Sequence, residues 1–383
     1  MIYLDHHSAT RPCSPAIERM MPYLTEHWGA SFAPHRMGQE LIAALDTRYQ
    51  MIYDFVGADL KDTFVFTSSG AEAVNQVLWS AFLEMSRKEG KCHFIASMIE
   101  DAPTMQMLKR LEELGCYVKI APVNSRGEID VEKLAQLINP RTALISVTLA
   151  HGLTGVIQPI EEIARLAKEK NVLLHVDANY ALGKMVFSFA GLGADYCTFS
   201  GDRIHALKSS GGLFAKKGAP LSPLILGGTE QGGYRGGAFD VPSFMALSAA
   251  IQQSALYLDA MSLETARLRD QFESELQRLI PEAKPLFQDT LRLPNTSAIV
   301  FPRVHQEALL YLLNRKGVFA ALGGPYCQHL SRTLIASGIP ELDSECALSF
   351  ALSRMTTEVE VVRAAAIIAE AVQQLQLLSK DLF

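Results

Sequence analysis

Polar residues close several apolar runs in this chain, and there they could do chemistry. Thr67-Ser68-Ser69-Gly70-Ala71 ends the run TFVFT and opens the helical stretch SSGAEAVNQVLWSAFLEM. A helix start presents free N–H groups and the positive end of the dipole, so Ser69, Gly70 and Ala71 could hold a phosphate. The same serine could equally be an ordinary helix cap. His175-Val176-Asp177-Ala178 puts a carboxylate at the C-terminal end of a buried run, the edge where open α/β sheets bind ligands. Asp177 could hold a protonated ring nitrogen or cap the segment that follows. Thr198-Phe199-Ser200-Gly201-Asp202-Arg203 is a third strand ending in a polar turn, with Lys208 and Gly211-Gly212 beyond it.

Two arginines and one cysteine stand out further along. Arg235 lies in the glycine-rich stretch GGTEQGGYRGG, where backbone can approach a ligand closely. Arg354 precedes a helix start and could clamp a carboxylate with two hydrogen bonds, or form a surface ion pair. Cys327 follows Gly323-Gly324-Pro325-Tyr326 and could be a nucleophile or a small buried hydrophobe. His6 and His7 are adjacent, no HxxxH or HxH occurs, and the six cysteines form no CxxC. Neither a metal site nor a disulfide framework is expected, and the reducing cytosol is the expected compartment.

The elements that must position these residues alternate between strand and helix. CHFIAS, YVKIAP, TALISVTL, VLLHVDA, ADYCTFS and GGLFAKK read as strands, with amphipathic stretches such as APTMQMLKRLEEL and PIEEIARLAKEKN between most of them. That rhythm predicts parallel pairing and a doubly wound sheet. After about residue 240 one long helical region runs from Val241 to Ile280. TSAIVF, a helix near HQEALLYLLNRKG, ALSFALS and a last helix from Thr357 follow as a smaller α+β unit. The expected division is a large α/β domain over 16–262 and a small α+β domain from 1–15 and 263–383.

Composition agrees with a large buried core. The chain has 383 residues, of which 49% are hydrophobic and 20% charged, and its net charge is -6. A weakly acidic chain lacks the basic footprint of general nucleic-acid binding. No run of about 18 apolar residues predicts a membrane span, and MIYLDHHSAT does not read as a signal peptide.

Taken in order, the motifs resemble the cysteine desulfurases, within the class V aminotransferase group of fold type I pyridoxal phosphate (PLP) enzymes. YLDHHSATRP is similar to the family's Y-L-D-N-N-A-T-T-P, and ASFAPHRMGQE to its N-P-S-S-x-H-x-x-G stretch. FTSSGAEAVN is similar to F-T-S-G-A-T-E-x-N, and HVDANYALGK to H-V-D-A-x-Q-x-x-G-K. TFSGDRIHALKSSGGLF, LILGGTEQGGYRGG and LSRMTTEVEV are similar to the lysine loop, the G-G-G-Q-E-R-G loop and G-R-x-T-T-E-E-E. The resemblance runs nearly end to end and implies a fold type I PLP-transferase-like architecture.

By position, the resemblance implies that Asp177 pairs with the pyridine nitrogen of PLP and Ser200 binds its phosphate. Arg354 would hold a substrate carboxylate, with Arg235 in the neighbouring glycine-rich loop. Cys327 lies near the cysteine that becomes a persulfide, although ALGGPYCQHL replaces the family's S-S-G-S-A-C-S-S. The family further implies a homodimer, a sulfur-acceptor or scaffold partner, and a place in iron-sulfur cluster supply.

Several positions depart from the family pattern. Arg203 stands where the Schiff-base lysine belongs, and a guanidinium that stays protonated cannot form the internal aldimine. Asp202 replaces the histidine before that lysine, and Asp101 the histidine that stacks on the cofactor. Tyr180 replaces a glutamine, Ala71 a phosphate-binding threonine, and His151-Gly152 an asparagine pair. The expectation is a desulfurase-like protein with lost or reduced PLP chemistry, kept as a binding or regulatory paralogue. The alternative is an active cysteine desulfurase or related transferase working through Cys327, with Lys208 or non-covalent PLP. A further expectation is that Arg203 fills the emptied site and pairs with Asp177 or Asp202.

Overall fold

The computed structural model describes residues 1–324 and 329–380. Among these, the strands in chain order are β1 (Ile2–Tyr3), β2 (Thr63–Thr67), β3 (His93–Ser97), β4 (Tyr117–Ala121), β5 (Thr142–Thr148) and β6 (Leu173–Asp177). Then come β7 (Tyr196–Ser200), β8 (Gly211–Ala215), β9 (Lys284–Pro285), β10 (Thr296–Val300), β11 (Val318–Phe319) and β12 (Ala347–Ala351). Seven of them build one sheet in the order β2-β8-β7-β6-β5-β3-β4.

The five strands from β3 to β7 pair parallel, because an intervening helical segment carries the chain back between successive strands. β8 pairs antiparallel with both β7 and β2. It follows β7 after a short turn, Gly201–Ser210, too short for a parallel crossover. The central strands β5 and β7 are buried along their whole length, the pattern of a sheet covered on both faces.

This topology gathers the polar strand ends on one edge. Asp101 follows β3, His151 follows β5, Asp177 and Tyr180 lie at the end of β6, and Ser200 to Arg203 close β7. Thr67 at the end of β2 faces Gly211 across the ladder, and Gly211 faces Ser200 on the other side. A side chain at Gly211 would put its Cβ 2.4 Å from the Ser69 carbonyl carbon. Only glycine there lets the start of the helix Gly70–Ala81 sit directly on the sheet. That helix extends the stretch expected from sequence, but its backbone widens to a π-helical turn over Phe82–Arg87.

The smaller unit pairs β9, β10 and β12 antiparallel and β1 with β11 parallel. The N-terminal segment therefore joins the C-terminal part. The helix Val241–Leu279 connects the two units, capped by Asp240, which accepts from the Ser243 N–H at 3.0 Å. Phe244, Leu247 and Ile251 lie in the large core, and Leu268, Phe272 and Leu276 in the small one. Each such fully buried side chain contributes about 1.5–3 kcal/mol, so one helix is anchored at both ends.

The last helix, Glu358–Lys380, is long and apolar enough to cross a membrane by length and composition. Its Val361, Ala365, Ile368 and Val372 are instead packed into the small core.

Candidate active site and its neighbouring cavities

Asp177 is the best-organised group on the sheet edge. Its Oδ1 accepts from the Thr198 hydroxyl at 3.0 Å and from the Asn179 N–H at 3.1 Å. Thr198 spends its one hydrogen on Asp177, so the 2.9 Å contact to His175 Nε2 must be a bond donated by the imidazole. His175 Nδ1 is then the acceptor for the Ser146 hydroxyl at 2.8 Å. The chain Ser146–His175–Thr198–Asp177 fixes the histidine as its neutral Nε2–H tautomer, and burial lowers its pKa to about 3.

Burial, and secondarily the Asp101 carboxylate, raise Asp177 to about 7. A second buried acid, Glu100, is raised to about 8, first by burial. It accepts from Ser97 Oγ and from the Thr148 N–H.

The turn after β7 is arranged differently. Arg203 Nη1 lies 3.4 Å from Asp202 Oδ2, and the guanidinium carbon lies 5.5 Å from the centre of the Tyr180 ring. Arg203 thus pairs with Asp202 and not with Asp177, one of the two partners expected from sequence. Its Nε has no hydrogen-bond partner in the protein. Ser200 donates its hydroxyl to Asp202 Oδ1, so the serine expected to meet a phosphate serves a carboxylate. Tyr180 donates its hydroxyl to Asp101 Oδ2 at 2.7 Å.

Gly152 makes room for that tyrosine, since a Cβ there would come within 2.5 Å of the ring. His7, Asp101, His151, Gly152, Tyr180 and Arg203 line a cavity of about 210 Å³, which has no lysine among its described lining residues.

His151 accepts from the Thr154 N–H through Nδ1 at 3.2 Å, and burial lowers its pKa to about 4. His7 Nε2 lies 3.2 Å from Asp5 Oδ1 without hydrogen-bond geometry, its Nδ1 has no partner, and burial followed by Arg203 lowers its pKa to about 3.

The remaining candidates are scattered. Ser69 caps its helix by accepting from the Glu72 N–H at 3.2 Å, and Glu72 Oε2 accepts from the Ser68 N–H at 2.7 Å. The cap reading of that motif is the observed one. Gly70 and Ala71 lie in the first turn of this helix. Arg235, proposed from sequence to meet substrate, places its Nε 3.0 Å from Glu72 Oε1 and lines neither this cavity nor the next one described. Lys208 is exposed and likewise lines neither. Cys327 lies outside the described residues.

Arg354 is half-buried and makes no ion pair among the described residues. It lines a second, smaller cavity with Lys184, Arg203, His6 and His205. Sequence reasoning quoted Lys184 within HVDANYALGK and His6 within YLDHHSATRP but gave neither a role. Their convergence depends on the small unit folding back over the large one, which no local pattern announces.

The model of the aminotransferase class-V family matches residues 2–362. A cysteine desulfurase of Nostoc sp. (strain PCC 7120) is 33% identical over 382 residues, covering 99% of this chain and 94% of that protein. The cysteine desulfurase NifS of Azotobacter vinelandii is 30% identical over 366 residues, covering 94% and 90%. Among solved structures, a NifS-like protein superposes with a TM-score of 0.90 at 29% identity, covering 97% of this chain and 99% of that one.

Proposed function

The chain belongs to the aminotransferase class-V family, among its cysteine desulfurase-like members, and from that premise we propose that it has lost PLP chemistry through an internal aldimine. The family is PLP-dependent, but the residues here do not fit the cofactor in the family's manner. The observation that carries this reading is the set of contacts around Arg203. An ever-charged guanidinium lies against the Tyr180 ring and Asp202, beside a cavity with no lysine in its described wall. Asp202 holds the Ser200 hydroxyl, so an incoming phosphate would meet a carboxylate.

The remaining role is that of a binding or regulatory relative of the desulfurases, toward a sulfur-acceptor or scaffold protein. It is read as a cytosolic homodimer. Exposed Trp28, Phe32 and Leu226 support an apolar subunit contact, and a monomer mass by light scattering at micromolar concentration would refute the dimer.

The deciding experiment adds PLP to purified protein, records the absorption spectrum, reduces with borohydride and maps peptides. The expected result is no aldimine absorption and no pyridoxyl-lysine. An adduct on any lysine, Lys208 and Lys184 included, overturns the proposal and restores the active desulfurase reading.

A further inference from the structure

The small cavity between the two units has a wall of one sign. Lys184, Arg203 and Arg354 line it together with His6 and His205, which burial lowers to about 4 and about 3 and so keeps neutral, and no aspartate or glutamate does. The Lys184 ammonium and the Arg354 guanidinium make no hydrogen bond or ion pair among the described residues. Arg203 has one carboxylate contact, Asp202 at 3.4 Å, and leaves its Nε free. His6 is 7% exposed, and its Nδ1 has no hydrogen-bond partner.

Such a cluster repels itself and leaves donors unused, which is costly for charges removed from water. Burial and then Arg203 lower Lys184 to about 7, with Asp202 pulling the other way. Of the carboxylates nearby, Asp101 holds the Tyr180 hydroxyl, and Asp5, whose Oδ1 has no hydrogen-bond partner, acts on Arg203 from outside the wall. Asp202 holds Ser200 and Arg203, and Glu360, which faces His6, accepts from the Thr357 N–H at 2.9 Å.

We propose that this cavity binds a small divalent oxyanion, of the phosphate or sulfate type, held by Lys184, Arg354 and Arg203. Its volume of about 40 Å³ has room for about three water-sized groups, the scale of a tetrahedral oxyanion and too small for a nucleotide. Arg354, Lys184 in its protonated form and a half-neutralised Arg203 favour a doubly charged anion, which would itself hold Lys184 protonated near pH 7. The resemblance assigns Arg354 alone to a substrate carboxylate, and a monocarboxylate would leave Lys184 and Arg203 uncompensated. The tetrahedral shape also offers separate oxygens to an ammonium and to planar guanidinium forks. The Ser254 and Ser262 side of the wall comes from the connecting helix, and the Arg354 side from the small unit. A bound anion would therefore tie the two units together.

The test is a calorimetric titration of the full chain with potassium phosphate, sulfate or acetate at constant ionic strength. Phosphate and sulfate are expected to bind and to compete with each other, and acetate to bind at least about tenfold more weakly. Lys184→Met is expected to weaken phosphate binding by about tenfold or more, whereas Lys88→Met, an exposed cation that does not line this cavity, leaves it unchanged. Arg354→Gln gives the same reading if Lys184→Met does not fold. Absence of phosphate and sulfate binding at about 10 mM, or undiminished binding in both cation variants, overturns the proposal. The readout is anion affinity without PLP present, so it stands apart from the test of the aldimine.

Discussion

At the end of β6, Asp177 takes hydrogen bonds of 3.0 Å and 3.1 Å, and each group behind it, back to Ser146, is paired in turn. One strand away, Arg203 holds a single carboxylate contact at 3.4 Å and leaves its Nε unpaired. The first region is made mostly of ladder residues. Ser146, His175, Asp177 and Thr198 sit on β5, β6 and β7, where parallel pairing fixes their spacing. The second is made of turn residues, Asp101, Tyr180, Asp202 and Arg203, which no ladder pairing fixes. On the proposed reading, the fold keeps the frame of a cofactor site while the groups that would do its chemistry are exchanged. The frame is costly to alter because strand pairing and packing both fix it, whereas a turn side chain, even a buried one such as Tyr180, is held by side-chain contacts alone.

The most severe way to break this comparison is to place a lysine at position 203, where the proposed reading puts the family's Schiff-base lysine. Arg203→Lys alone is expected to give no cysteine desulfuration, a deficit of about a thousandfold or more against an active relative, since aligned catalytic groups act as a unit. Asp101 remains tied to Tyr180, and Asp202 still occupies the Ser200 hydroxyl. Sulfide release at a rate near that of an ordinary cysteine desulfurase would show that the turn is one substitution from function, and the two regions would then not differ as argued.

A second prediction concerns the ordered region. The folded-state pKa of Asp177 is raised to about 7 from an ordinary 3.8. Its contribution to stability is fully present below the unfolded value and is lost as pH rises through the folded one. The full loss is about 4 kcal/mol by linkage. Asp177→Asn keeps an Oδ1 acceptor for Thr198 and Asn179 and removes the ionisation. Its unfolding temperature, measured relative to the native protein, should therefore rise between pH 5 and pH 8. The buried histidines titrate alike in both proteins and cancel. A difference that stays flat over this window would show that Asp177 ionises freely, with a cation near it that compensates the charge.

The sheet was largely legible in the sequence, because TALISVTL, VLLHVDA and ADYCTFS are apolar runs of strand length between amphipathic helices. The mostly parallel sheet expected from that rhythm is the one observed, with β8 antiparallel where a turn replaces the crossover helix. Asp177, Ser200 and Arg203 were also legible, as polar residues at the ends of such runs. What sequence could not give was partner choice. Asp177 and Asp202 were equal candidates for Arg203, and separating them took side-chain geometry after the turn. Arg235 read as a ligand group, yet it is held by Glu72, 163 residues away in the chain. Lys184, His6 and Arg354 meet only when the small unit closes on the large one. A contact between segments so far apart leaves no periodic trace.

The smallest effect tests whether the altered region is packed or merely vacant. The structure makes Gly152 and Tyr180 steric complements. A Cβ at position 152 would lie 2.5 Å from ring carbons of Tyr180, far inside normal contact. The ring cannot retreat freely, because its hydroxyl is held by Asp101 and Arg203 covers its face. Gly152→Ala should therefore destabilise the protein by about 1–3 kcal/mol, the usual range for overpacking. In a Tyr180→Ala background the clash has no partner, and the same substitution should cost close to nothing. The double-mutant cycle by denaturant unfolding then gives a coupling energy about as large as the single cost. An undiminished cost of Gly152→Ala in that background would place the strain in the backbone at position 152. The tyrosine would then be an independent substitution and not one half of a repacked pair.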